Sequence, residues 1–429
     1  MMIFTVCYVA AFLAAANDYH AVSGGILILA AAYLYMRDYR KTGNLIHLRG
    51  LFSFFWISGQ GVACFQLSNL QKDWSILTWL CFYLAWLGFY AVYEILDRRT
   101  GREPVGRLTG YRSRGKADSL FVSLMGVTAV SLGAFCFEAW YLGYVPFLVR
   151  GVPHAYSYFH VTGVHYLTVS CVLVPALGVL FFLTDRKRSG KWKQVMALVA
   201  VVISLLIPIL CVSRFQLILA VLLAVLTYIL CEEHFPVSYG VGVGVFLVVL
   251  YVILTIARSH DVAYLNGIFE MKNEHMPIFV TQPYMYIANN YENFNYMVEN
   301  LGEFAWGMRS LFPLWALTGL KFFMPSLANY PILVNKEELT TVTLFYDAYY
   351  DFGIVGVLVF SCILGGVCFW LMKKAEKMRN PVGYLFYAQM AVYLMLSFFT
   401  TWFSNPATWF YFAVTAVIDW YCSRKKIVI

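Results

Sequence analysis

Residues 354–372 read IVGVLVFSCILGGVCFWLM, a run of 19 residues without a charged side chain, and Lys373 and Lys374 follow directly. An α-helix of about 20 apolar residues is long enough to cross the hydrocarbon core of a bilayer. Backbone groups in lipid must bond to one another, and a helix achieves this within a single segment. The stretch therefore predicts a membrane-spanning helix whose basic end at Lys373 lies in the cytoplasm.

The same pattern recurs along the whole chain, in which 61% of the 429 residues are hydrophobic and 13% are charged. We predict an all-α polytopic membrane protein in which residues 1–429 form a single integral membrane domain with about twelve transmembrane helices. The predicted spans are 2–16, 21–36, 51–68, 74–96, 119–142, 167–184, 194–211, 215–231, 239–257, 354–372, 382–403 and 407–421. One large external loop, residues 258–353, interrupts the series.

The distribution of basic residues predicts the orientation. Of the 31 Lys and Arg residues, 23 lie in connections that share one side of the membrane if there are twelve spans. Basic loops stay in the cytoplasm, so we expect both termini there. The net charge of +8 reflects this bias. Because the basic residues are scattered over five loops without interleaved aromatic residues, no nucleic-acid partner is expected.

The external loop carries the residues that we predict to bind substrate. It is rich in Tyr and Asn, including Tyr286, Tyr291 and Asn293. Flat apolar rings and amide donors suit sugars, although the same residue types also serve as ordinary interface and turn residues. Within the loop, residues 304–324 are apolar, but a thirteenth span would move Lys373 outside. We therefore predict a helix that lies in the outer interface or re-enters the membrane.

Arginines at the outer boundary are the strongest indication of function. Arg214 lies in a short turn between two spans, Arg258 ends the ninth span, and Arg309 lies on the apolar stretch of the external loop. An arginine that faces lipid costs roughly 2.5 kcal/mol or more, so we expect these to face a cavity with an anionic partner. The alternative is that each reaches lipid headgroups or pairs with an acid such as Glu138. A guanidinium binds phosphate through two donors, which suits a lipid-linked pyrophosphate.

No cofactor is expected. A reaction at the external face cannot use cytoplasmic ATP or nucleotide sugars, and the chain has neither a Gly-rich phosphate loop nor an Asp-x-Asp pair. The spacing of His154, His160 and His165 fits no common metal-ligand pattern. Asp347 and Asp351 lie one helical turn apart and could bind a cation or sugar hydroxyls, whereas capping of a helix N-terminus is the simpler interpretation for Asp351.

Three short motifs carry a resemblance to a known family. Residues 340–356 read TTVTLFYDAYYDFGIVG, with Gly365 and Gly366 further along the same helix. The Ser213-Arg214 turn precedes a Leu-rich helix, and residues 286–294 contain Tyr and a later Asn-Phe. Together with the topology, these segments resemble Wzy-type O-antigen and capsule repeat-unit polymerases. Two departures are Val212, where the family has Gly, and the absence of the His-rich loop of the related ligases.

The resemblance implies a lipid-donor, GT-C-like glycosyltransferase of the bacterial plasma (inner) membrane. Such an enzyme joins undecaprenyl-pyrophosphate-linked oligosaccharide repeat units into a surface polysaccharide at the outer face. Arg214 and Arg258 would stabilise the leaving pyrophosphate, and Arg309 would orient the second one. His260 and Asp261 are the first candidates for the general base, followed by His275 and Glu270. A flippase and a chain-length regulator are the partners that the resemblance implies.

Two other functions remain open from the sequence. A ligase that transfers finished glycan to another acceptor shares the donor chemistry, so the sequence separates it poorly from a polymerase. A lipid-linked oligosaccharide flippase also needs cationic groups in a membrane cavity, but it should show related halves and charges buried in mid-span. This chain shows no internal repeat, and its arginines cluster at the outer boundary.

Overall fold

The protein is all-helical over the residues that the computed structural model describes. These are residues 1–100, 117–149, 155–185, 190–232, 262–376, 378 and 380–424, with eight further residues between 238 and 249. Within these ranges there is no β-strand, only an isolated bridge between Ser68 and Met271. Seven helices are long and apolar enough to cross a membrane, which is consistent with a polytopic membrane protein.

Seventeen α-helices are described, and four short 3-10 turns accompany them. The α-helices are α1 Met2–Ala15, α2 His20–Thr42, α3 Leu48–Ala63, α4 Ile76–Thr100, α5 Ala117–Leu142, α6 Ala155–Tyr158, α7 Val164–Val169, α8 Val174–Asp185, α9 Lys191–Leu210, α10 Arg214–Glu232, α11 Val262–Phe269, α12 Ile278–Asn300, α13 Phe312–Leu317, α14 Leu320–Phe323, α15 Tyr346–Ala375, α16 Val382–Met395 and α17 Pro406–Arg424. The seven long apolar ones are α2, α4, α5, the continuous stretch Val164–Asp185, α9, α10 and α15.

Eleven of the twelve predicted spans coincide with a helix, and the twelfth, 239–257, lies mostly outside the described residues. Three of the eleven are shorter than the sequence indicates. Helix α1 has 14 residues, α3 has 16, and α16 has 14 because it ends at Met395 rather than at residue 403. Residues 396–405 form turns and a 3-10 turn over Trp402–Ser404. The number of crossings therefore stays a prediction.

The chain divides into two compact units. Unit 1 comprises Met1–Arg107, Asp261–Lys374 and Tyr393–Pro406, and unit 2 comprises Leu108–His260, Ala375–Val392 and Ala407–Ile429. In unit 1, α2 and α3 cross at two glycines, where a Cβ on Gly24 would lie 2.5 Å from the carbonyl oxygen of Gly61. Small residues of this kind let two helix backbones approach closely. Large aromatic side chains fill the rest of the unit 1 core, among them Trp56, Trp86 and Tyr291.

Unit 2 is built around α5, α8, α9 and α10, which pack pairwise. Helices α9 and α10 are joined by a turn so tight that Val212 adopts a positive φ of 55°. This conformation is unfavourable for a β-branched residue. Val212 is nevertheless 2% exposed and packs with Leu217, so burial of its side chain offsets the strain. The turn then leads into α10, whose first residue is Arg214.

One expectation about residues 258–353 is wrong, and the segment also contains a helix that was not predicted. Ile278–Asn300 is a helix of 23 residues, and its Asn side chains bond to carbonyl groups within and beyond the helix. Residues 304–324 do not form one helix. Trp306 and Gly307 have positive φ values of 52° and 92°, and Gly319 is left-handed, so only the short helices α13 and α14 form between these breaks.

Candidate functional site

The first turns of α15 position the candidate site in unit 1. The helix begins at Tyr346, and its i and i+4 spacing places Asp347 beside Asp351 and Tyr346 beside Tyr350. The helical path is then broken at Phe352 (φ −140°, ψ 17°) and Gly353 (φ 60°, ψ −147°) before it continues. Only glycine tolerates the latter conformation without strain. The break separates two acidic turns from the apolar remainder of α15.

Arg309 is held against these turns by its side chain. Its Nε donates to Oδ1 of Asp347 at 2.5 Å, and one of its Nη groups donates to the carbonyl oxygen of Tyr330 at 2.7 Å. The guanidinium carbon also lies 4.7 Å from the ring centroid of Tyr350. Burial alone would lower the pKa of Arg309, but the Asp347 carboxylate raises it above its ordinary value. The side chain is therefore a fixed, permanently charged guanidinium.

Asp351 fixes the backbone of the same arginine. Its two carboxylate oxygens accept the backbone N–H groups of Arg309 at 3.1 Å and Ser310 at 2.8 Å. Asp351 therefore accepts hydrogen bonds from backbone amides, as predicted. These amides belong to the turn at residues 309–310, however, and not to the start of α15. Hydrogen bonds to a carboxylate are stronger than those between neutral groups. Both the backbone and the side chain of Arg309 are consequently immobilised.

Arg309 and Asp347 line an open cavity of about 430 Å³. Its polar wall is completed by Thr401, Ser404 and Asn405, which come from the irregular segment after α16. The second Nη group of Arg309 makes no hydrogen bond to any residue that the structure describes. A cavity with a fixed guanidinium on one side and hydroxyl and amide groups on another can bind a molecule that carries both phosphate and sugar hydroxyls.

Three further predicted substrate-binding residues lie on α12. Tyr291 is 0% exposed and donates its hydroxyl to the carbonyl oxygen of Trp56 at 2.7 Å. Asn293 is also 0% exposed, and its amide donates to the carbonyl oxygens of Leu339 and Thr341 at 2.7 and 2.8 Å. The structure therefore places these two residues in the core, where they hold other segments in position. Tyr286 is partly exposed, with its ring edge-on to Phe399.

The predicted catalytic residues are dispersed. Arg214 lies in unit 2, partly buried at the start of α10, and His275 is exposed in a turn of unit 1. Arg258, His260 and Asp261 lie outside the described residues. Among the residues that the sequence predicts for the site, the structure brings Arg309 and Asp347 into direct contact.

Glu138 has a partner other than the arginine that the sequence analysis considered. Its buried carboxylate, near the C-terminal end of α5 in unit 2, lies 3.1 Å from Nδ1 of His165 and accepts from the hydroxyl of Thr168 at 2.6 Å. The backbone N–H of Val161 also donates to it at 2.8 Å. Glu138 thus organises the turn before α7. No group of three or more metal-binding side chains occurs among the residues that the structure describes.

The polar wall at Thr401–Asn405 and the contribution of Tyr330 could not be predicted from the sequence. Their only signal in the sequence is a polar, Pro-terminated segment, Ser404-Asn405-Pro406, between two predicted spans. Nothing in that segment indicates that it faces Arg309. Comparisons of this chain with protein-family models, with characterised proteins and with solved structures found no match.

Proposed function

We propose that this chain is a glycosyltransferase with a lipid-linked donor, which joins undecaprenyl-pyrophosphate-linked repeat units into a surface polysaccharide at the outer face of the plasma membrane. The observation that carries the proposal is the immobilised Arg309–Asp347 pair in an open cavity. The cavity lies in the segment that the charge distribution assigns to the outer side. The proposal includes the topology of twelve spans with a GT-C-like architecture and cytoplasmic termini.

The geometry supports a division of labour within the cavity. Asp347 holds one edge of the Arg309 guanidinium, and the unoccupied Nη group is left to donate to a phosphate oxygen. Tyr346 and Tyr350 pack on the guanidinium and keep water from its faces. Positive charge that is fixed before the reaction stabilises an anionic leaving group without reorganisation, which is often the largest contribution to catalysis. Arg309 is therefore the residue that binds the pyrophosphate.

The proposed reaction can be written with all atoms balanced. A hydroxyl oxygen on the terminal sugar of one repeat unit attacks the anomeric carbon of the chain on a second lipid carrier. The bond between that carbon and the pyrophosphate oxygen breaks, and its electron pair leaves with the lipid pyrophosphate. The hydroxyl proton passes to a base, for which His260 and Asp261 remain the sequence-based candidates. Because Asp347 is already paired with Arg309, it acts as a positioning residue.

The test uses purified full-length protein and one synthetic undecaprenyl-pyrophosphate repeat unit, without nucleotide or added metal, followed by electrophoresis. We expect a ladder of products whose lengths are multiples of the repeat unit. Arg309→Lys keeps the positive charge but loses the planar fork, so we expect polymerisation to fall by about 100-fold or more. Lys272→Gln is the matched control, because it removes an exposed cation of the same segment that does not line the cavity.

The outcomes separate the competing functions. An unmodified substrate, with the protein shown to be folded by its thermal unfolding, would exclude the polymerase. Transfer of the glycan only to a different acceptor would indicate a ligase, and movement of the intact lipid across a vesicle membrane would indicate a flippase. A ladder from Arg309→Lys equal to that of the unmodified protein would remove this arginine from the mechanism.

A further inference from the structure

A second cavity in unit 1 lies near the C-terminal ends of α2 and α4, and it shares no lining residue with the cavity at Arg309. It has a volume of about 350 Å³, and its lining includes the N-terminal Met1 together with Arg37, Lys41, Tyr90, Glu94, Ile95 and Arg98. Arg37 and Lys41 are one turn apart near the C-terminal end of α2, and Glu94 and Arg98 are one turn apart near that of α4. Side chains at this spacing share one face of a helix. The two faces meet at the cavity.

The inner wall of the cavity is a buried ionic network. Arg49 is 3% exposed and donates to Asp38 through Nε and Nη at 2.8 Å each. Its remaining Nη donates to Glu94 at 2.7 Å. One buried arginine therefore binds both carboxylates of the network. Charges buried in this way are stable only when they are paired and hydrogen-bonded.

The network leaves an excess of positive charge around the cavity. Arg37 donates to Tyr90 at 2.5 Å and to Asp38 at 3.1 Å, but its buried Nε has no hydrogen-bond partner. Arg98 donates to Glu94 at 3.0 Å from an exposed position, and the exposed Lys41 is in no ion pair within the described chain. Four basic side chains thus surround two carboxylates. The empty space between Arg37, Lys41 and Arg98 fits an anion.

The exposed apolar side chains beside the cavity indicate which class of anion binds there. Ile95, which lines the cavity, is 51% exposed, and Met36, which directly precedes Arg37 in α2, is 43% exposed. Both helices are long and apolar enough to cross a membrane, and both end in basic residues. The inner leaflet carries anionic lipids, which basic residues at the cytoplasmic ends of spans attract. A soluble anion would gain nothing from the exposed apolar side chains, whereas the acyl chains of a phospholipid would cover them.

We propose that this cavity binds the phosphodiester headgroup of an anionic phospholipid of the inner leaflet. Arg37 donates to the phosphate from the inner wall, and Lys41 and Arg98 approach it from α2 and α4. The acyl chains run along Ile95 and Met36. The bound phosphate relieves the repulsion among the three cations and holds the ends of α2 and α4 together, so the lipid stabilises the folded protein.

The experiment measures thermal unfolding and lipid retention of the purified, delipidated full-length protein. Phosphatidylglycerol, phosphatidylcholine and inorganic phosphate are added separately, and bound lipid is counted by native mass spectrometry. We expect phosphatidylglycerol to raise the unfolding temperature and to be retained at least tenfold better than phosphatidylcholine. The double variant Lys41→Gln, Arg98→Gln should lose this preference. Both side chains are exposed, so the variant should fold.

The control is Arg40→Gln, Arg99→Gln, which removes two exposed arginines from the same last turns of α2 and α4 without touching the cavity. It should keep the preference for phosphatidylglycerol. An equal loss in both double variants would show diffuse attraction to basic helix ends and would overturn the proposal. Stabilisation by millimolar inorganic phosphate as large as that by phosphatidylglycerol would identify a site for a free anion and would also overturn it.

Discussion

The carboxyl group of Glu292 on α12 is buried away from solvent. It is 2% exposed, and its nearest side-chain donor is the indole N–H of Trp74 at 3.3 Å. Burial raises the pKa of Glu292 to about 7, although a hydrogen bond from the backbone of Lys72 opposes this effect. A buried carboxyl group with this pKa is half-protonated at neutral pH, so the stability of the protein depends on pH there.

The sign of the dependence follows from the raised pKa. Between the ordinary value of 4.5 and about 7, the folded protein holds a proton that the unfolded chain has lost. Stability should therefore decrease as pH rises through this window. We expect Glu292→Gln to flatten the decrease and to raise the free energy of unfolding at pH 8 by on the order of 3 kcal/mol.

Denaturant unfolding of the purified protein between pH 5 and pH 8.5 measures this effect. Glu303→Gln is the matched control, because Glu303 follows the same helix by three residues, is exposed, and is not among the charges that shift the pKa of Glu292. The control should retain the pH dependence of the unmodified protein. Constant stability of the unmodified protein across the window would contradict the assignment to Glu292.

Some properties of the site residues could be predicted from the sequence, and others could not. Arg309 and Asp347 were each predictable as binding residues, since charged side chains are rare in this chain. Their contact was not predictable, because it joins positions 38 residues apart. Tyr291 and Asn293 were predicted to bind substrate but lie in the core, and the reason is physical. A Tyr hydroxyl and an Asn amide donate to backbone carbonyl groups inside a protein as readily as to a sugar.

Helix α15 packs on α4 through a position where no side chain fits. A Cβ on Gly365 would lie 2.5 Å from the carbonyl oxygen of Phe89, whereas a Cβ on the adjacent Gly366 would meet only a methyl group of Val92 at 3.8 Å. Nearby, the Ser361 hydroxyl accepts from the backbone N–H of Phe89 at 2.8 Å. The two glycines therefore provide a matched pair of substitutions.

We expect Gly365→Ala to force the two helices apart and to lower the free energy of unfolding by about 1–3 kcal/mol. Gly366→Ala should be neutral or slightly stabilising, because alanine favours the helix more than glycine does. The unfolding temperatures of the two purified variants provide the measurement. Equal values for both variants would show that α4 and α15 are not in close contact at Gly365.

The positions of most helices follow from hydropathy, but two kinds of element do not. Helix α12 is polar, so its formation depends on contacts with other segments that a local pattern does not reveal. Residues 304–324 are apolar enough for one helix, yet Trp306 and Gly307 at its start adopt left-handed backbone conformations. The glycine gave a hint of this break, but a tryptophan with positive φ cannot be anticipated from its identity.

For the whole molecule, the predicted orientation can be tested at the two sides of α15. Glu337 and Lys374 are both exposed, and they lie before and after this helix. Cys136 is the one cysteine of the described residues that is classed as exposed, so it is first replaced by serine. We then expect Glu337→Cys to react with a membrane-impermeant maleimide in intact cells. Lys374→Cys should react only after the membrane is opened. The reverse pattern would invert the predicted topology.

The break at Phe352–Gly353 also sets the length of the unbroken, apolar part of α15. Beyond it, residues 354–375 form an unbroken helix of about 33 Å, close to the roughly 30 Å of a hydrocarbon core. Under the proposed topology, the break lies at the outer edge of that core, because backbone groups that face lipid must be hydrogen-bonded. The Arg309 cavity then stands at a constant height beside the phosphate layer. A carrier lipid with a shorter isoprenoid tail would present its pyrophosphate at the same height, so under the proposed function the protein is indifferent to tail length and selects its substrate by the head alone.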